Sequence, residues 1–180
     1  MAEAAFPELY GPCLFQAATG CRIGEALAMR WSAVGLDRGE ITIRLKVHNN
    51  TLGQPKTLAS NRTIKIPQRL IDFLKSHRQR RPAADGWIFP SKSNPTKHWD
   101  DRKYQEHWRK LRKRAGVREE LGTHAWRHLF ISNALGEAGW TPAEVAEHVG
   151  SSIKVIIERY THVIRRSRKM DFRFIESLES

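Results

Sequence analysis

The feature of this sequence that most constrains its fold is a change of hydrophobic period early in the chain. From Phe6 to Ala18 the apolar residues Leu9, Cys13, Leu14 and Ala17 recur at helical intervals. After a Thr19-Gly20 break, a second helix is expected to carry Ile23, Ala26, Leu27 and Arg30 on one spacing. ITIRLKV (Ile41 to Val47) and RTIKI (Arg62 to Ile66) instead alternate as half-buried strands do, with the turn-rich HNNTLGQP between them. Helical patterning returns from Leu70 to Arg78. A chain that switches period this way is expected to be mainly α-helical around a small antiparallel β-sheet, an α+β fold.

Beyond the strands, Trp87 to Phe89 is a candidate buried piece and SKSNPTKH a polar loop. Asp101 to Ala115 places Tyr104, Trp108 and Leu111 on one face of a helix, with Arg102, Lys103, Arg109, Lys110, Arg112, Lys113 and Arg114 around the rest. THAWRH predicts a helix capped by Thr123. TPAE at Thr141 combines a Thr cap, Pro at the first helical position and Glu144 to complete a capping box, and Gly150 ends that helix. A short helix from about Ser152 to Tyr160 and a last one with Met170, Phe174 and Leu178 as its stripe complete the expectation.

At 180 residues the chain suits one domain. Lys and Arg total 31 against 19 Asp and Glu, a formal net charge of +12, which points to a polyanionic partner, nucleic acid first. The two cysteines, Cys13 and Cys21, have neither disulfide-framework nor zinc-ligand spacing. No apolar segment approaches a membrane span and no secretory leader pattern opens the chain, so a soluble, cytoplasmic protein is expected.

TGCRIGEALAMRW raises a question of charge. Arg22 falls where the positive end of a helix dipole disfavours a cation, so a nearby anion would make its placement sensible. His124 and Arg127 are i and i+3 neighbours, and an imidazole beside a bidentate guanidinium suits a phosphate oxygen. Taken in order, TGCRIGEALAMRW, PKTLASNRTIKIP, THAWRHLFISNAL and GSSIKVIIERYTHV resemble the catalytic domain of the tyrosine recombinases, the phage integrase family, from about Leu9 to His162.

The resemblance implies that residues 1–180 are one catalytic domain, without the helical DNA-binding domain that family members usually carry before it. It implies that Tyr160 attacks a scissile DNA phosphate, forming a 3′-phosphotyrosyl intermediate and releasing a 5′-hydroxyl for strand exchange. Arg22 and Arg127 would stabilise the charge that builds on the phosphate. His124 would assist proton movement, Lys56 would protonate the departing 5′-oxygen and Glu25 would orient its basic neighbours. Such chemistry calls for no metal and no cofactor.

The implied partners are double-stranded DNA and further copies of the chain, a tetramer on DNA joined through the C-terminal stripe, with room for accessory DNA-bending proteins and no role for a membrane. The basic helix, through Arg102, Lys103, Arg109, Lys110 and Lys113, is expected to meet the DNA backbone.

One departure stands out. Many members place a His or Trp where this chain has Gly150 and Ser151, in HVGSS. His148 and Ser151 are the candidate accessory residues there, but a displacement of two residues turns His148 roughly 200° around a helix, and its ring is expected to face solvent rather than substitute. Two other readings therefore accompany the recombinase one: a catalytically impaired DNA-binding protein of the same fold, and a type IB topoisomerase-like enzyme that relaxes DNA.

Overall fold

A computed structural model describes residues 7–54, 61–80 and 86–167, the side chains of 165–167 excepted. Helices α1 (Pro7–Thr19) and α2 (Ile23–Leu27) lead through a 3₁₀ turn (Trp31–Ala33) into β1 (Val34–Gly35), β2 (Glu40–Ile43), β3 (Lys46–His48), β4 (Thr51–Gly53) and β5 (Arg62–Lys65). Then come α3 (Gln68–Arg80), α4 (Asp101–Arg114), α5 (Ala125–Gly136), α6 (Pro142–Val149) and α7 (Ile153–Ser167). The mainly helical fold around small antiparallel sheets is the one expected.

The strands depart in detail. ITIRLKV is not one strand: β2 pairs with β1 and β5 in a three-stranded sheet, whereas β3 pairs with β4 in a separate two-stranded one among the described residues. In β2 the alternation holds, with Ile41 opposite Ile64 and both Ile41 and Ile43 fully buried. β3 turns away to meet α2, where a Cβ on Gly24 would collide with the Val47 carbonyl oxygen, so only glycine permits that approach. Asn49 and Asn50, with φ of 51° and 55°, form the tight turn to β4. The buried Asp101 carboxylate fixes the turn by accepting both of their backbone N–H groups, at 3.0 and 2.9 Å.

Helix α2 stops at Leu27, so Arg30 is not on it. The backbone there extends instead: Ile88 N–H donates to the Met29 carbonyl and Trp31 N–H to the Gly86 carbonyl, which draws the buried Trp87 to Phe89 piece against the chain. The Arg30 guanidinium lies 4.1 Å over the Trp87 ring.

Helix α5 is preceded by His124, not Thr123, at its cap, and no side chain caps it. A turn closed by Ala125 N–H to the Gly122 carbonyl moves the start one residue on. Around α6 the expectation holds: Thr141 Oγ1 accepts from Glu144 N–H at 3.2 Å, the Glu144 carboxylate accepts from Thr141 N–H at 2.7 Å, and Gly150 closes the helix at φ 63°. Helix α7 does not end at Tyr160. Ile156, Tyr160, Val163 and Ile164 form one stripe against its neighbours, and that packing carries the helix on to Ser167. The stripe of Met170, Phe174 and Leu178 lies outside the described residues.

These elements build two apolar cores. The larger collects α1 to α4, both sheets and the 87–99 region around Leu9, Phe15, Ile41 and Leu74. The smaller joins α5, α6 and α7 through Ile131, Leu135, Val145, Val149, Ile156 and Tyr160.

Candidate active site at the seam of the two cores

Helix α6 ends against the larger core, and the last carbonyls of a helix lack intrahelical donors. Here three arginines supply them. Arg62 Nε donates to the His148 carbonyl at 2.7 Å, Arg127 Nη1 to the Val149 carbonyl at 2.7 Å, and Arg22 Nη1 to the Gly150 carbonyl at 3.0 Å. Arg127 Nη1 also reaches the Gly20 carbonyl at 2.8 Å, just beyond α1. The negative end of the α6 dipole favours cations at this place. Gly150 is required twice over, by its left-handed backbone and because a Cβ would sit 2.5 Å from Arg62 Nη1.

Glu25 is the counter-charge. It is 2% exposed, and its carboxylate accepts from Arg62 Nη2 at 3.0 Å, from Arg22 Nη1 at 3.2 Å and from the Arg22 backbone N–H at 2.9 Å. Burial works to raise its pKa, but the charge and hydrogen bond of Arg62, with Arg22 beside them, hold it below the usual carboxylate value. The orphan cation of TGCRIGEALAMRW therefore has two anionic neighbours, the Glu25 carboxylate and the end of α6. Burial and then the Arg22 charge push Arg127 down to about 10, still protonated at neutral pH.

The arginines differ in access. The Arg62 side chain is 6% exposed and that of Arg22 40%, so Arg22 is the one that opens to solvent. At the same mouth His124 titrates below its ordinary value, through partial burial and then the charge of Arg127, with His128, Arg22 and Arg159 adding to it. Tyr160, from α7, is 5% exposed, and its Oη lies 2.5 Å from His128 Nδ1. Burial raises the phenol's pKa, while the charges of Arg127 and Arg159 pull it part of the way back.

Arg22, Glu25, His124, Arg127 and Tyr160, scattered in sequence, are thus brought to one seam. Lys56 lies in 55–60, outside the described residues. Ser151 is half-buried beside Gly150, its backbone N–H on the Ala146 carbonyl. His148 does not face solvent as expected. Its ring stacks on Phe130 at 5.1 Å and meets the Trp140 edge at 5.0 Å, and burial, then Arg62, pushes it down to about 4. The α6 turn that offers its carbonyl to Arg62 sends its side chain into that aromatic pair.

Arg102, Lys103, Arg109, Lys110 and Lys113 are all exposed along α4, Lys110 in an ion pair with Glu106 at 2.8 Å. Trp108 packs beneath them against Trp126, next to Arg127.

Two residues were not foreseen at the site, and each carried a signal. Arg62 shares strand parity with Ile64 and Ile66, the buried face, so a cation there required an internal partner. His128 stands at i−3 and i−7 from the buried Ile131 and Leu135, which extends the packed face of α5 to its first turn. Among the described residues no group of three or more His, Cys, Asp or Glu is placed to hold a metal ion, and no helix is long and apolar enough to cross a membrane.

The sequence pattern of the phage integrase family matches residues 8–166. A tyrosine recombinase XerC-like protein of Caldanaerobacter subterraneus subsp. tengcongensis is 28% identical over 83% of this chain and 44% of its own length. A putative prophage phiRv2 integrase of Mycobacterium tuberculosis is 29% identical over 89% of this chain and 44% of its own. This chain thus spans less than half the length of either relative.

Among solved structures, the Tn1549 transposon integrase in complex with a circular intermediate DNA superposes with a TM-score of 0.76 at 17% identity, over 97% of this chain and 59% of that one. XerA recombinase gives 0.68 at 20% identity, over 93% and 60%. The catalytic domain of bacteriophage HP1 integrase gives 0.58 at 24%, over 87% and 76%. The fold is that of tyrosine recombinase catalytic domains.

Proposed function

Taking as premise that this chain belongs to the phage integrase family, we propose that it is the catalytic part of a DNA strand transferase that cuts and rejoins DNA through Tyr160. The observation that carries this reading is the cluster of Arg22, Arg62 and Arg127 on the end of α6, with one buried carboxylate among them and a tyrosine close enough to sense the Arg127 charge.

In this mechanism the Tyr160 oxygen attacks the scissile phosphorus. The bond from phosphorus to the 5′-oxygen breaks, and a 3′-phosphotyrosyl bond keeps the energy for rejoining. Negative charge grows on the non-bridging oxygens. Arg22 meets it from the open side of the site. Among the described residues both hydrogen bonds of Arg127 use Nη1, which leaves its Nη2 edge for a phosphate oxygen. A fixed donor of this kind is worth about 3 kcal/mol in the transition state. Glu25 keeps Arg22 aimed, and His124 stands at the same mouth to donate to the phosphate. Lys56 is proposed as the acid for the 5′-oxygen.

DNA is the proposed partner, held along the cations of α4, with further copies of the chain assembling on it for strand exchange. The Tn1549 integrase is itself solved with DNA, on the same fold.

A nicked DNA substrate that loses its short 5′-hydroxyl fragment after cleavage tests the reading. The wild type should accumulate a protein–DNA adduct that survives denaturation, and Tyr160→Phe should abolish it while still binding DNA. Binding without an adduct from the wild type would favour the impaired DNA-binding reading, which the Gly150-Ser151 sequence and the diverted His148 ring support.

A further inference from the structure

We infer that His128 holds the Tyr160 hydroxyl and takes its proton as the phenol attacks phosphorus; this rests on the reading of Tyr160 as the nucleophile. The Tyr160 ring is packed in the smaller core, and its hydroxyl has a partner within the protein. That partner is His128 Nδ1, 2.5 Å away, with the ring centroids 5.8 Å apart. Both partners sit on rigid elements: α5 is anchored through Ile131 and Leu135, α7 through Ile156. The His128 residue is itself exposed, so a proton it takes can pass on to water.

The direction of the hydrogen bond follows from the surroundings. A protonated phenol needs an acceptor, and Nδ1 accepts only when the ring is neutral with its hydrogen on Nε2. The charged and titratable groups facing the pair are Arg159 from α7, Arg127 from α5 and His124 at the cap of α5. Partial burial, then Arg159 and Arg127, lowers the His128 pKa, while burial keeps the phenol protonated. The resting pair is therefore a neutral phenol donating to a neutral imidazole.

The step balances without a co-reactant. The bond from Oη to phosphorus forms, the bond from phosphorus to the 5′-oxygen breaks, and the phenolic proton moves to Nδ1. A separate acid protonates the 5′-oxygen. On rejoining, the imidazolium returns its proton to the departing phenol. The phenolic proton becomes more acidic as its oxygen bonds to phosphorus, so a weak base suffices late in the step.

The test is single-turnover adduct formation on the nicked substrate at saturating DNA, across pH, for wild type, His128→Asn and His128→Ala. The wild-type rate should fall on the acid side with a midpoint below the free-histidine value of about 6.5. His128→Asn, whose amide can still hold the phenol, should bind DNA normally, form the adduct about 10²- to 10⁴-fold more slowly and lose that acid limb. Added imidazole should partly restore His128→Ala. Variants that cleave at the wild-type rate with an unchanged pH profile would overturn the inference alone. No Tyr160-dependent adduct from the wild type would overturn the nucleophile reading and this inference together.

A second measurement needs no activity. In the DNA-free chain the ¹⁵N imidazole signals of His128 should titrate to a higher pKa in Tyr160→Phe, because the bond that favours the neutral ring is gone. An unmoved pKa would show that the phenol does not bond His128 and would overturn the inference.

Discussion

The larger core, around Leu9, Phe15, Ile41 and Leu74, and the smaller one, around Ile131, Val145 and Ile156, are held by different forces. The first closes on itself: helices and sheet meet through apolar faces drawn from many parts of the sequence. The second comes from one stretch of three helices, and where its apolar surface stops, charge takes over. Arg22 and Arg62 come from the larger core's side and end on α6, and Arg127 comes from the smaller side and ends on α6 and on the Gly20 carbonyl. Hydrogen bonds from the buried Arg62 and Arg127 stabilise by about 1.5 to 3 kcal/mol each, and those of the more open Arg22 by less, enough together to matter for a small helical unit. The contrast teaches that the residues suited to chemistry are also the ties between the two halves, so substitutions should separate tie from reactant.

Glu25→Gln should have the largest effect. It removes the carboxylate charge that the buried Arg62 meets at 3.0 Å, and urea unfolding should show a loss of about 3 to 5 kcal/mol. A loss below about 1 kcal/mol would mean that the Glu25 charge contributes little to holding the arginines.

Arg22→Ala should act the other way. Its side chain is 40% exposed, so stability should change by no more than about 1 kcal/mol while adduct formation slows by about 10²- to 10³-fold. A stability loss like that of Glu25→Gln would make Arg22 a tie rather than a phosphate ligand.

Thr141→Ala removes the cap at the far end of α6 and should lower stability by about 1 kcal/mol. The rate of adduct formation should not move, since the three carbonyls lie at the other end of the helix. A slower rate would show that the seam senses the whole of α6.

How far the sequence could be read depended on how local each cause was. The Thr141 to Glu144 box and Gly150 lie within one turn of what they cap, and both were legible. The start of α5 was misplaced from Thr123 because a turn at Gly122 outweighed a cap preference. ITIRLKV was read as one strand because alternation does not report which sheet a residue joins, and β3 left to pack on α2.

Family resemblance proposed Arg22, Glu25, His124, Arg127 and Tyr160 as a set, whereas the anchoring of Arg22 and Arg127 on the end of α6 had no local signal. Arg62 bonds a carbonyl from 86 residues away, and no local pattern encodes that distance. His148 shows the reverse limit: its place near a helix end suggested a solvent-facing ring, but the Phe130 and Trp140 rings that bury it come from elsewhere in the chain.

The central claim is that the seam delivers a DNA phosphate to Tyr160. Its most direct test is to digest the adduct from the nicked substrate with protease and nuclease and locate the remaining nucleotide by fragment mass spectrometry. The account predicts a 3′-linked phosphodeoxynucleotide on Tyr160. A nucleotide on any other residue, or no nucleotide on a chain that binds the same DNA, would contradict it.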